Sequence, residues 1–100
     1  MKVNITSIYT LEDLSKLLHR DGIPHSIQHE RIKIETSSPF LRLMLERFSD
    51  GWTLFIQYPE LIEVSANVIG YSVGPPNEVE FELADYGTVW FRYWPKKEAP

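Results

Sequence analysis

The chain has 100 residues, 43% of them apolar and 13% aromatic, which supports one packed domain with a single core. Its formal charge of −4 is unevenly placed: residues 1–50 carry seven basic and seven acidic side chains, residues 51–100 three and seven, and no Lys or Arg lies between Arg47 and Arg92. A chain that grips free nucleic acid through its phosphates needs the opposite balance, and a chain without cysteine has no disulfide, thiolate nucleophile or Cys-bound zinc.

In chain order, KVNITSIY alternates and reads as a first strand. It lacks the apolar core of a signal peptide, and no run approaches the ~20 apolar residues of a membrane span, so the expected location is the cytoplasm. Thr10 then caps a helix with Asp13 at N3, Leu11, Leu14, Leu17 and Leu18 recur at helical spacing, and Asp21-Gly22 ends it. HSIQHERIKIET is strand-like with Ile32 and Ile34 on one face. Ile27 has the opposite parity, so the segment is one bulged strand or a tight hairpin turning at His29-Glu30.

SSPFLRLMLERFSDG predicts a second helix. Ser38 is its cap, Pro39 takes N1, Gly51 follows its end, and Phe40, Leu41, Met44, Leu45 and Phe48 form its buried side. The remainder is β: WTLFIQY, then LIEVSANVIGYSV as one bent strand or two short ones, then EVEFELADYGTVWFRYW as a hairpin. In that hairpin a three-residue loop, Asp85-Tyr86-Gly87, pairs Leu83 with Val89, Phe81 with Phe91 and Val79 with Tyr93 on a core face. The other face then carries Glu82 opposite Trp90, Glu80 opposite Arg92 and Glu78 opposite Trp94. The expected fold is a single α+β domain over residues 1–95, a mainly antiparallel sheet with two helices packed on one face, and residues 96–100 form a solvated tail.

Three motifs invite catalytic readings. Gly70-Tyr71-Ser72-Val73-Gly74 spells G-x-S-x-G, the pattern of a nucleophile elbow, but Pro75 and Pro76 stop any helix after Ser72 within its first turn. His19, His25 and His29 also all precede the serine, against the triad order of that fold. On a strand His25 and His29 stand roughly 13 Å apart, too far to share a metal. Glu80 and Glu82 have the spacing of an acid–base pair, yet an open strand face with Arg92 alongside keeps them ionised. No catalytic residue, metal or cofactor is expected.

The glutamate stripe offers more. Glu78, Glu80, Glu82 and Asp85, interleaved with Trp90, Arg92 and Trp94, make an acidic, aromatic-edged surface, and tryptophan and arginine are the residues that dominate interface energetics. The expected role is a non-enzymatic inhibitor that occupies a basic, nucleic-acid-binding surface on a protein partner, with no direct nucleic-acid binding and no membrane. A short, acidic, cysteine-free α+β chain of this kind resembles, over its whole length and in general character, the small phage-encoded anti-CRISPR proteins. That resemblance implies a CRISPR effector as the partner, inhibition of its target DNA binding or cleavage, and residence in the host cell cytoplasm. Those families share no common motif, so no residue role carries over. Bacterial toxin-immunity proteins fit the same description. Two other classes stand beside them: a small enzyme using Ser72 or the histidines, and a single-strand nucleic-acid binder stacking bases on Trp90 and Trp94 beside Arg92. Monomer and homodimer are both compatible with the sequence.

Overall fold

A two-residue alternation of apolar side chains runs through most of the chain and builds its architecture. The computed structural model describes residues 2–38, 40–60, 62–85 and 87–93. It contains one helix, α1 (Leu11–Arg20), and eight strands: β1 (Lys2–Asn4), β2 (His25–Gln28), β3 (Arg31–Ile34), β4 (Arg42–Phe48), β5 (Gly51–Gln57), β6 (Glu63–Gly74), β7 (Glu78–Leu83) and β8 (Gly87–Arg92). Strands β2 to β8 form an antiparallel meander in sequence order, and β1 pairs with β6. The domain is thus mostly antiparallel sheet, with a single helix among the described residues.

α1 forms where the cap and the leucine spacing place it. The Asp13 amide donates to the Thr10 hydroxyl at 3.1 Å, Glu12 and Asp13 sit in the first turn, and His19 and Arg20 in the last, which suits the helix dipole at both ends. Gly22 follows at φ 74°, in the left-handed region. Leu14 and Leu18 are fully buried against the core.

The second helix is overturned: residues 42–48 are strand β4, hydrogen-bonded between β3 and β5. Leu43 and Leu45 are completely buried, while Phe40, expected on the buried side, is 69% exposed. Leu45 satisfies both periods, and the helix-forming residues Leu, Met, Glu and Arg favour the wrong one. A central strand with partners on both edges overrides that preference. Ser38 does cap, but it caps a turn. Its hydroxyl accepts from the Phe40 amide at 3.4 Å and its carbonyl from the Thr36 hydroxyl at 3.0 Å. Pro39 lies outside the described residues. Ser49-Asp50 close a hairpin in which Phe48 pairs with Gly51.

His29-Glu30 make the tight hairpin between β2 and β3, with His29 at φ 58°. β6 is one long strand with a bulge between Val68 and Gly70. The extra residue switches which parity faces the core: Val68 is buried before it, Tyr71 after it. The β7–β8 register is also a correction. Val79 pairs with Phe91, Phe81 with Val89 and Leu83 with Gly87, two residues away from the sequence-based pairing. Faces are preserved by a two-residue shift, because side chains alternate with that period. β7 therefore ends at Leu83, and Gly87 at φ 83° opens β8. Tyr86 lies outside the described residues, as do Trp94 and the expected tail at 96–100.

The sheet is rolled. Across a flat sheet the β3–β4 connection and β8 would stand roughly 20 Å apart at ~4.8 Å per strand. Here the Ser37 amide donates to the Arg92 carbonyl at 3.0 Å. α1 lies inside the roll against β2 and β3, and one core gathers Leu14 and Leu18 with Ile32, Ile34, Leu43, Leu45, Trp52, Leu54, Tyr71, Val79 and Phe81. The Tyr71 hydroxyl reaches Asp21 at the helix end at 2.6 Å, and the Trp52 indole donates to the Ile8 carbonyl at 2.8 Å, pinning the segment between β1 and α1. Among the described residues no helix is long and apolar enough to cross a membrane.

Candidate protein-interaction face

On the outside of the roll, β1, β6, β7 and β8 present cross-strand rows. One row runs Lys2, Ser72, Glu80, Trp90; the next Asn4, Gly70, Glu82, Thr88; a third Gly74, Glu78, Arg92. No helix covers this face among the described residues. Glu78, Glu80, Glu82, Trp90 and Arg92 thus share one surface, and Asp85 is exposed at the loop beside it. Trp94, the remaining expected member, lies outside the described residues.

The neighbours within the face differ from those expected. Arg92 donates to Glu78 at 3.3 Å and leaves Glu80 beside Trp90. Glu82 is held by Lys2, a partner that only the β1–β6 pairing brings in. Glu80 makes no ion pair among the described residues and is exposed. Trp90 is 56% exposed, too open for a core residue. The face therefore carries four carboxylates and two cations, acidic but partly neutralised.

The G-x-S-x-G residues form the floor of this face. β6 runs straight through Ser72 to Gly74, then turns at Pro75-Pro76-Asn77 into β7, so no helix follows the serine and no elbow exists. Pro75 and Pro76 are joined by a cis peptide bond, and Asn77 takes φ 58°. Gly70 is required by close approach: a Cβ there would lie 2.6 Å from the Val3 carbonyl oxygen. With only small side chains at 72 and 74, a trough of about 300 Å³ opens, lined by Ser72, Val73, Gly74, Glu78, Glu80 and Trp90. Its dimensions suit one long side chain, its wall is an indole, and its polar groups are carboxylates and a hydroxyl.

The histidines are apart. His19 is exposed at the end of α1, and His29 lies in the β2–β3 turn, at a wider depression of about 660 Å³ whose Arg31 is already held by Glu46 at 2.5 Å. His25 is different. Its Nε2 lies 2.7 Å from the Ser15 hydroxyl and its Nδ1 2.8 Å from the Ile23 carbonyl. With Nδ1 donating to the carbonyl, Nε2 accepts from the serine, which is the hydrogen-bond pattern of a serine–base pair. Neither residue lines the trough or the wider depression, and the bond ties α1 to β2. Sequence inspection missed this pair, because ten residues and a chain reversal separate its members. Among the described residues no group of His, Asp or Glu is arranged to hold a metal.

Asp21 joins three elements. Arg20 donates to its carboxylate at 3.1 Å and Tyr71 at 2.6 Å. The Arg20 hydrogen bond holds the carboxyl below the ordinary carboxylate range, while burial and then the Asp21 bond push the Tyr71 phenol upward. This cluster is architectural: Tyr71 reaches it from the buried interior, and Arg20 closes it from the exposed end of α1.

No family model, curated protein or solved structure matches the chain.

Proposed function

We propose that the chain is a non-enzymatic protein-binding module whose outer β6–β8 face takes up a basic side chain of a partner. The observation that carries this reading is the trough beside Trp90. An arginine or lysine laid in it stacks on the indole and meets the carboxylates of Glu80 and Glu78 at its head. Lys2 and Arg92 fix Glu82 and Glu78 in place, and Glu80 supplies the uncompensated charge. Such a face fits the arginine- and lysine-rich surfaces of nucleic-acid-binding proteins. Inhibition follows by occupying the site that phosphates would use. An effector complex of a bacterial defence system, blocked by a phage-encoded inhibitor, is the partner this reading favours, and a toxin neutralised by an immunity protein is the second.

The test uses defined probes before any host protein. Arginine-rich and lysine-rich peptides are titrated calorimetrically against the wild type, Glu80→Lys and Trp90→Ala, with a labelled oligonucleotide as the contrasting ligand. The expected result is peptide binding that both substitutions abolish and that added salt weakens, with no oligonucleotide binding. Oligonucleotide binding that Trp90→Ala removes would instead establish a single-strand binder. Host proteins retained equally by wild-type and Glu80→Lys baits would place the interface elsewhere.

A further inference from the structure

β6 is flanked on both edges over only part of its length. β5 pairs with Glu63–Val68 and β1 with Gly70–Ser72 along one edge, whereas β7 pairs along the other edge only from Val68 onward. Beside residues 63–66 that second edge has no strand among the described residues. The Asn67 carbonyl accepts from the Ala84 amide at 2.9 Å, so odd-numbered residues ahead of the bulge turn their main-chain groups to the β7 side. The Ile62 carbonyl accepts from Tyr58 at 2.8 Å, which turns the even-numbered ones towards β5. Both N–H and C=O of Glu63 and of Ser65 therefore line an open edge. Natural edges are protected by charged side chains, lysine above all, by proline or by a bulge, and Glu63 is the one charge in this segment. Residues 62–67, Ile-Glu-Val-Ser-Ala-Asn, contain no lysine or proline, the bulge lies beyond them, and Ile62 and Val64 are 53% and 47% exposed.

We propose that this edge pairs with the same edge of a second copy of the chain, antiparallel about a two-fold axis at Val64. In that register Glu63 and Ser65 exchange main-chain hydrogen bonds with the partner's Ser65 and the partner's Glu63. Val64 packs on the partner's Val64 in the closer, non-hydrogen-bonded position, and Ile62 on the partner's Ala66. Two features favour a second copy over a foreign strand. The register is self-complementary, since each carboxylate faces a serine and the exposed apolar residues meet one another. The Ala84 turn, seated at Asn67, also ends the pairing at the length this register uses. The Trp90 face stays uncovered, so the proposal is independent of the function above. A short edge pairing makes a weak, concentration-dependent dimer.

Sedimentation velocity on the full chain, from micromolar to near-millimolar concentration, tests it together with amide exchange. The expected result is a monomer–dimer transition with concentration-dependent protection of the Glu63 and Ser65 amides. Ser65→Pro removes an N–H that bonds nothing among the described residues, and Val64→Lys places two like charges on the axis; each returns the chain to monomer with its circular dichroism unchanged. If the proline variant does not fold, Val64→Lys and the amide protection decide the matter. A monomer at every concentration, a dimer that folded Val64→Lys leaves intact, or an edge protected only by another protein's strand would overturn the proposal.

Discussion

Gly70 and Gly74 flank Ser72 in the same strand, yet alanine should have opposite consequences at the two. At Gly70 a Cβ lies 2.6 Å from the Val3 carbonyl oxygen, 3.4 Å from its carbon and 3.5 Å from the Asn4 Cα. A relaxed carbon–oxygen contact is ~3.3–3.6 Å, so β1 must retreat by roughly 0.7–1 Å. The obstructing atom is backbone, and that displacement takes N–H···O bonds of ~2.9 Å out of range. Ile5, completely buried one residue after β1, moves with it. Overpacking against an unyielding wall costs about 1–3 kcal/mol, and losing part of the β1 pairing puts Gly70→Ala at the upper end, about 2–3 kcal/mol. For a domain of this size that lowers the Tm by about 8–24 °C. At Gly74 a Cβ meets nothing within 4 Å and φ is not in the left-handed region. Gly74→Ala should therefore be neutral or stabilise by about 0.4–1 kcal/mol through the unfolded chain. Urea unfolding of both variants followed by circular dichroism reads the difference directly. Equal midpoints would refute the close approach of β1 and with it the structural account of the motif.

Leu43→Ala should destabilise by about 2–5 kcal/mol and Met44→Ala by less than half as much, because of these two neighbours in strand β4 Leu43 faces the core and Met44 the other side. The reverse order in denaturant midpoints would restore a helix there. Trp90→Ala should change stability by about 1 kcal/mol or less while lowering affinity for the basic peptide at least ~10-fold; a loss above ~3 kcal/mol with no change in binding would make it a core residue. Asp21, whose folded-state carboxyl is depressed mainly by Arg20, contributes stability that is present above pH ~4 and lost as pH falls through the lower folded value. Tyr71, raised chiefly by burial, contributes stability below pH ~10 that is lost as pH rises towards its higher folded value. Asp21→Asn should flatten the acid limb of the stability–pH curve and Tyr71→Phe the alkaline limb, and unchanged limbs would mean the two groups titrate alike folded and unfolded. Ser15→Ala should cost about 1 kcal/mol, the worth of one half-buried hydrogen bond to His25, read from its urea midpoint.

Local signals served well where one residue type determines a backbone geometry. The Thr10 cap and the Asp21-Gly22 stop each depend on groups a few residues apart, and both appear where the residues place them, while the structure chooses the hairpin over the bulged strand that His29-Glu30 also allowed. The failures share a cause. Leu41, Met44, Leu45 and Phe48 fit a helix as well as Leu43 and Leu45 fit a strand, and only the presence of β3 and β5 on either side discriminates. The β7–β8 register slipped by two because a two-residue shift keeps every side chain on its own face. Alternation is blind to that error, and the pairing of Leu83 with Gly87 at the closed end of the hairpin decides it.

By itself, the sequence determined that the chain forms one core, that its second half is β and acidic, and that Ser72 heads no helix, since proline chemistry and charge counts act locally and need no partner. Only the tertiary structure decided that β1 delivers Lys2 to Glu82, that α1 brings Ser15 to His25, and that Glu80 stands beside Trp90 over a floor of small residues. Those contacts join segments ten or more residues apart. Their energies depend on strand order and register, which arise when the whole sheet rolls around its helix and not from any stretch of residues alone.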